Sequence, residues 1–341
     1  MISIEENIDL SPYNTFRIKA KARFFCRIHS EADLKELMNH PVYTNNRHLI
    51  LGGGSNMLFI HDFDGLVIKS ELKGLQVSDE DDTFIQLTIA SGEEWHATVM
   101  YCVNQNWGGI ENLALIPGTT GAAPIQNIGA YGIELKDVVH SIKGIHIPTG
   151  KEESIPAANC SFGYRESIFK HELKEKFFIS SVTLTLRKKN HILRTHYGAI
   201  DETLRSKHVT VPTIQSICDA VIDIRQHKLP DPKVIGNAGS FFKNPSIDQT
   251  TFQALHDKHP SIPHYPSENQ LIKVPAGWLI EQCGWKGKRR NNVGVHAHQA
   301  LVLVNYGGST GQEIFQLAED IQASVIEKFD IKLTPEVNII L

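Results

Sequence analysis

Five cysteines in 341 residues are few and odd in number, and at positions 26, 102, 160, 218 and 283 no two of them form a CxxC pair. That pattern argues against a disulfide framework and a zinc ribbon, and it fits a reducing compartment, so a cytoplasmic protein is expected. No apolar run approaches the ~20 residues needed to span a bilayer. The opening residues, MISIEENIDL, are acidic where an export signal is basic and then apolar, so neither a cleaved signal nor membrane insertion is expected. An excess of one charge is missing as well. The net charge of -4 leaves no footprint for nucleic acid, and the short cluster Lys286, Lys288, Arg289, Arg290 reads as a solvated loop. Two catalytic signatures are incomplete. LGGGSN carries Met57 where the dinucleotide fingerprint needs its last glycine, and NAGSF around Ser240 lacks the second glycine of a hydrolase elbow, with no nearby His or Asp to suggest a triad. His296 and His298 form an HxH without an evident third ligand, so no metal is expected.

What is present is ordinary globular composition, 41% apolar and 21% charged, at about two domains' length by the usual prior. FRIKAKARFFCRI alternates like a strand, SEADLKELMNH is an amphipathic helix with Ser30 as N-cap, and HLILGGGSNMLF is a strand that breaks into glycines. Further on, FIQLTIAS, SIKGIHIP and FFISSVTLTLRKK predict strands, and EEWHATVMYCVNQN predicts a helix. A polar, irregular passage, RKKNHILRTHYGAIDETLRSKHVTVPT, ends at the helical pattern TIQSICDAVIDIRQHK and suggests a boundary or a mobile segment. The strand QALVLVNY, a helix from about Gly311 to Phe329, and a short strand in PEVNIIL able to pair back into an earlier sheet complete the pattern.

Three stretches carry candidate chemistry. LGGGSN sits at a strand end where bare glycines admit a phosphate to backbone amides, although alone it reads equally well as a tight turn. IPGTTGAAPIQNIGAYG, Ile116 to Gly132, is too poor in apolar area to offset the cost of ordering it, so a large hydrogen-bonding ligand is expected to compensate. Taken together the two segments point to a bound nucleotide cofactor, with Gln126 and Asn127 supplying side-chain polarity. In CSFGYRES, Arg165 has the fork geometry that grips a carboxylate, although that segment alone reads as a surface ion pair.

In order along the chain, NTFRI, GGGSN, IPGTTGAAPIQNIGAYG, FGYRESIF, LPDPKVIGNAGSFFKNP, KVPAGWLIEQCGWKG, HQALVLVN and TPEVNII closely resemble the UDP-N-acetylenolpyruvoylglucosamine reductase family, FAD enzymes of bacterial cell-wall synthesis. The resemblance runs from near the N-terminus to the last residues. It implies an α+β, three-domain flavoprotein, with a two-part FAD-binding region of the vanillyl-alcohol oxidase (PCMH) type and a C-terminal substrate-binding α+β domain. The expected division is 1–66 with 332–341 packing back, 67–212 with a lid loop near 190–205, and 213–331. The implied reaction uses NADPH and noncovalent FAD to reduce UDP-N-acetylglucosamine enolpyruvate, in a monomer without nucleic-acid or membrane partners. Arg165, Ser240 and Glu336 are implied as catalytic: Arg165 as a carboxylate clamp, Ser240 as proton donor to the substrate carbanion, and Glu336 as a second stabilising group that acts while protonated. Tyr164, Tyr197, Lys228, Asn244 and Gln299 are implied for the substrate, with Tyr197 marking the longer form of the family, in which a tyrosine loop folds over the sugar nucleotide. For FAD the implied residues are Gly52, Gly53, Gly54, Ser55, Asn56, Pro117, Gly118, Thr119, Gly121, Gln126, Asn127, Gly129, Ala130, Gly132 and Arg225. Ala122 and Ala123 stand where relatives often carry serines, so backbone amides there are expected to take over any hydroxyl contact. Two alternatives remain open at this point: a related flavin oxidase that uses oxygen, and a non-catalytic flavin- or nucleotide-sugar-binding module.

Overall fold

Ser30 and Asp33 close a reciprocal capping box on the helix Glu31–Met38, which buries Leu34 and Leu37, as the pattern of SEADLKELMNH predicts. In the computed structural model, which describes residues 2–266 and 268–341, this helix lies in the first of two compact units. That unit comprises the residues up to Ile8, Ala22–Gly53 and Asp64–His227; the second comprises Asp9–Lys21, Gly54–Phe63 and Lys228–Leu341.

The first unit holds two larger sheets. One has the order Ile4–Asp9, Lys21–Ile28, Phe63–Ser70, His48–Leu51, its last pair parallel. The other is antiparallel, in the order Lys151–Pro156, Val139–His146, Phe177–Arg187, Phe84–Ala90, Leu75–Glu80. Along Phe84–Ala90 the residues Ile85, Leu87 and Ile89 are buried and their neighbours are not, the period of two that a half-buried strand requires. They share a core with Val99 and Cys102 of the helix Trp95–Asn104 and with Ile217, Cys218 and Val221 of the helix Ile214–Lys228. The sequence boundary at 213 therefore precedes a helix that packs with the first unit, because its apolar stripe covers that unit's sheet. Cys26, Ile28, Leu66 and Ile68 pack with Ile145 and Phe178 in a separate core.

FRIKAKARFFCRI forms its strand only from Lys21. Upstream, Asn14 donates to the carbonyls of Leu10 and Ile18 and accepts from the Ile18 amide, while Arg17 takes a left-handed φ of 58°, so the first half of that alternating run is a stapled loop of the second unit. There the sheet order is Gly236–Ser240, Val302–Asn305, Val293–Val295, Arg289–Arg290. The 19-residue helix Gly311–Phe329 packs against it, started by a capping box of Thr310 and Glu313. Asn338–Ile340 runs parallel to Met57–Phe59. Arg289 lies over the Tyr306 ring at 4.1 Å and Lys288 over Trp285 at 4.4 Å, while Arg290 pairs with Asp320, so this basic cluster is engaged by its own unit. Among the described residues no helix is long and apolar enough to cross a membrane, and no His, Cys, Asp and Glu cluster has the geometry of a metal site.

Candidate active site

In the first unit the two glycine-rich stretches meet. A Cβ on Gly53 would lie 2.6 Å from the Gly118 Cα, and one on Gly52 would lie 2.7 Å from the Thr119 hydroxyl oxygen. Backbone meets backbone here, which only glycine permits. Gly121 is as tightly placed: a Cβ there would lie 2.4 Å from the Ser91 Cβ. Lys69, from the strand Phe63–Ser70, donates to the Gly52 carbonyl at 2.8 Å, and burial lowers the pKa of its ammonium. Pro117, Gly118 and Thr119 follow from the 116–132 segment, and the Thr119 hydroxyl is buried with no hydrogen-bond partner. A partnerless buried hydroxyl beside a cradle of bare backbone fits a polar cofactor such as FAD. The amides of Ala122 and Ala123 do not offer the substitute contacts expected of them: they close a tight turn on the carbonyls of Thr119 and Thr120 at 3.0 and 3.2 Å.

Asn127 is fully buried, and its amide works inside the protein. Nδ2 donates to Glu134 and to the Gly163 carbonyl, each at 3.0 Å, and Oδ1 accepts from the Lys136 amide. It ties the glycine-rich loop to the turn that carries Arg165. Gln126, next to it, is half-buried. Beyond it, Gly129–Ala130 pairs with Ile133–Glu134 across a two-residue turn, Tyr131 and Gly132, whose φ values of 50° and 81° suit such a hairpin. Arg165 reaches this hairpin from the Gly163–Glu166 turn: its own φ is 58°, its Nη2 donates to the Gly129 carbonyl at 2.9 Å, and its guanidinium lies 5.6 Å from the centre of the half-buried Tyr164 ring. A left-handed backbone at a non-glycine residue is a local strain that the surrounding bonds hold in place. Arg225, near the end of the helix Ile214–Lys228, comes to the same place. Its pKa is lowered by burial and by the nearby charge of Arg165, against the opposite influence of the Tyr131 hydroxyl, and its Nε is buried without a partner. Two guanidinium groups beside one phenol make a locally positive corner. Tyr197 is 57% exposed, with its side chain against Gly132; Lys228 is exposed at its helix end.

In the second unit Gly236–Ser240 pairs with Val302–Asn305 through an irregularity between Asn237 and Ser240. The Asn237 side chain holds that bend by accepting from the Gly239 amide at 3.0 Å, and Gly239 supplies a φ of 70°. Ser240 ends the strand half-buried, while Phe241 and Phe242 turn into the core, at 0% and 1% exposure with rings 5.1 Å apart. The C-terminal segment runs alongside: the Glu336 amide donates to the Phe241 carbonyl at 2.8 Å and the Lys243 amide to the Thr334 carbonyl at 2.9 Å. The backbone of Glu336 thereby lies next to the residue that follows Ser240, 95 positions earlier in the chain. Gly54, Ser55 and Asn56 belong to this unit. The Thr15 amide donates to the Gly54 carbonyl, and Asn56 Nδ2 donates to the Glu336 carbonyl at 3.2 Å. Asn244 accepts from the Ala276 amide at 2.9 Å, and Gln299 Oε1 lies 3.4 Å from where a Gly277 Cβ would stand, so these two meet at the start of the helix Ala276–Gln282.

Sequence reasoning missed Lys69, Asn112 and Tyr131. Tyr131 had a signal in the AYG turn; Lys69 and the buried Asn112 had none, because what they bond lies far away along the chain.

A model of the UDP-N-acetylenolpyruvoylglucosamine reductase C-terminal domain matches residues 231–340, and an FAD-binding-domain model matches residues 22–155. The chain is 51% identical over 339 residues to a UDP-N-acetylenolpyruvoylglucosamine reductase of Amoebophilus asiaticus, covering 99% of this chain and 100% of that one. It is 48% identical, with the same coverage, to one of Flavobacterium johnsoniae. Among solved structures, the UDP-N-acetylenolpyruvylglucosamine reductase (MurB) of Thermus caldophilus superposes with a TM-score of 0.71 at 20% identity, covering all of both chains, and so shares the fold.

Proposed function

Because the chain belongs to the UDP-N-acetylenolpyruvoylglucosamine reductase family, we propose that it reduces UDP-N-acetylglucosamine enolpyruvate to UDP-N-acetylmuramate with NADPH, through noncovalent FAD, in peptidoglycan precursor synthesis. The observation that supports carrying the reading to the chemistry is the backbone pairing of 241–243 with 334–336, which runs the Glu336 segment along the residue that follows half-buried Ser240.

FAD, when bound, would supply the hydride-transfer chemistry, with NADPH as the source of reducing equivalents and the enolpyruvyl ether as their acceptor. Its phosphates suit the cradle of Gly52, Gly53, Gly118, Thr119 and Gly121, and the positive corner at Arg225 suits the electron-rich edge of its ring. Hydride addition pushes negative charge onto the neighbouring substrate carbon and its carboxylate. Arg165, held by the Gly129 carbonyl, is the clamp for that carboxylate. Glu336 assists in its protonated form, since a bare carboxylate repels the developing charge. Ser240 gives its hydroxyl proton to the carbanion. The alcohol is a weak acid, but a carbanionic carbon is a far stronger base, so the transfer runs downhill. Tyr164, Tyr197, Lys228, Asn244 and Gln299 hold the sugar nucleotide, with 190–205 as its lid. The protein is cytoplasmic and monomeric, with no nucleic-acid or membrane partner.

The test is anaerobic. Purified yellow protein is bleached with one equivalent of NADPH and then given the enolpyruvyl nucleotide; return of the flavin absorbance supports the reductase. Reoxidation that needs oxygen and ignores the nucleotide supports a flavin oxidase, and colourless protein that cannot be reconstituted with FAD removes both.

A further inference from the structure

The passage 188–199 has no regular secondary structure, yet it is fastened at a defined point. Asn112, in the short turn Glu111–Leu113, is 1% exposed. Its Nδ2 donates to the carbonyl of Arg194 at 2.9 Å and to that of Tyr131 at 3.0 Å. One amide group thus bridges the irregular passage and the hairpin that carries Arg165's acceptor, Gly129. Beside it the two segments interlock. The side chain of Tyr197 lies against bare Gly132, 3.4 to 3.5 Å from where a Cβ would stand, and the Tyr131 ring lies against Gly198 at 3.7 to 3.8 Å. Each tyrosine packs on the glycine of the other segment. Between these contacts His196 Nδ1 donates to Asp201 at 2.8 Å, which holds the turn's shape.

The Asn112 amide is incompletely satisfied. Its Oδ1 is buried with no partner, and only its nitrogen end can face two carbonyls. Leaving an acceptor orphaned is unfavourable, and a leucine of similar size avoids that penalty, so an asparagine is explained by the two carbonyls that need its donors.

We propose that Asn112 is a positioning residue for Tyr197: by clamping Arg194 to Tyr131 it docks the 194–198 segment on the hairpin turn and so presets the lid tyrosine for the sugar nucleotide. This rests on the reading of Tyr197 as a substrate contact. Removing the clamp frees the segment without touching Ser240, Arg165 or the glycine cradle. The loss is therefore expected in substrate affinity and not in the chemical step.

The test compares flavin-loaded wild type with Asn112→Leu and Asn112→Ala, each of which removes both donors of the clamp. Hydrogen exchange of peptides covering 191–199 should accelerate roughly tenfold in Asn112→Leu, the effect of losing one or two hydrogen bonds, while the strand Phe177–Arg187 stays protected. KM for the enolpyruvyl nucleotide should rise by a similar roughly tenfold factor with kcat nearly unchanged. Wild-type exchange in 191–199 of folded Asn112→Leu overturns the clamp; accelerated exchange with an unchanged KM overturns its link to Tyr197. Should Asn112→Leu not fold, Asn112→Ala, which also removes both donors, decides by the same exchange readout, with unchanged exchange overturning the proposal. If the wild-type protein proves indifferent to the enolpyruvyl nucleotide, the activity reading and this positioning role fall together, and the exchange result still shows separately whether the clamp exists.

Discussion

At Ser240 the demand is for one proton at one carbon. Ser240→Ala keeps the small volume and removes the acid, so flavin reduction by NADPH should proceed while turnover of the sugar nucleotide falls by about 100- to 10,000-fold, the usual contribution of a positioned general acid. Ser240→Cys supplies a stronger acid at nearly the same place and should recover much of that loss. Stopped-flow absorbance of the two half-reactions separates these outcomes, and normal turnover by the alanine variant removes Ser240 from the mechanism. Gly53 makes a different demand. Its Cβ would fall on the Gly118 backbone, which has no flexible end to move aside, so Gly53→Ala should separate the two glycine-rich stretches. The expected result is a loss of about 1–3 kcal/mol in stability and a weakened FAD affinity, read by melting and by titration of apoprotein with FAD.

Among the elements, those whose signals are local were legible. The helix Glu31–Met38 has its cap and its apolar face within a few residues, and the helix Gly311–Phe329 has the bounds its pattern predicts. Thr310→Ala removes one half of a capping box and should lower the melting temperature by an amount equivalent to about 1 kcal/mol. The run from Phe16 was less legible. Its alternation begins upstream of the strand, because Asn14 satisfies the backbone around Leu10 and Ile18 and bends the chain before Lys21. Asn14→Ala takes the side-chain partner from the buried amide and carbonyl of Ile18 and should cost roughly 1–3 kcal/mol in a urea titration. The glycine-rich stretches declared a ligand by composition. That Asn127 turns its amide inward, and that the amides of Ala122 and Ala123 are already bonded, depends on partners brought up by folding.

For the whole molecule, pH dependence follows from groups that folding protects. Burial pushes the thiols of Cys26 and Cys160 up to about 11 and those of Cys102 and Cys218 up to about 12, from the ordinary thiol value of 9.0. The unfolded chain releases these protons from about pH 9 while the folded chain keeps them, so stability should fall as pH rises above 9. At the acid end the sign reverses. The carboxyl of Asp248 is lowered by the Thr251 amide and that of Asp320 by Arg290, so their stabilisation is present above the ordinary carboxylate value and is lost as pH falls through the lowered one. Buried Glu111 acts oppositely, its pKa raised by desolvation, and favours the folded state while protonated. Thermal melts across pH 3 to 11 should therefore decline at both ends; an unchanged melting temperature at pH 10 refutes the thiol account. A thiol reagent should find Cys283, which is half-buried, well before the four buried cysteines, and all five after denaturation.

The sequence by itself determined the cofactor class, the reaction family and most helices and strands, because each rests on residues close together: bare glycines, caps, apolar periods and ordered motifs spread over nearly the whole chain. Only the tertiary structure decided which groups share a corner. The Glu336 backbone bonds Phe241, Arg225 stands beside Arg165, and Asn112 between Arg194 and Tyr131, through hydrogen bonds and packing between residues far apart along the chain. The physical reason is that a side chain's chemical type is local to its residue, whereas its partners, burial and charge environment exist only once distant segments have packed.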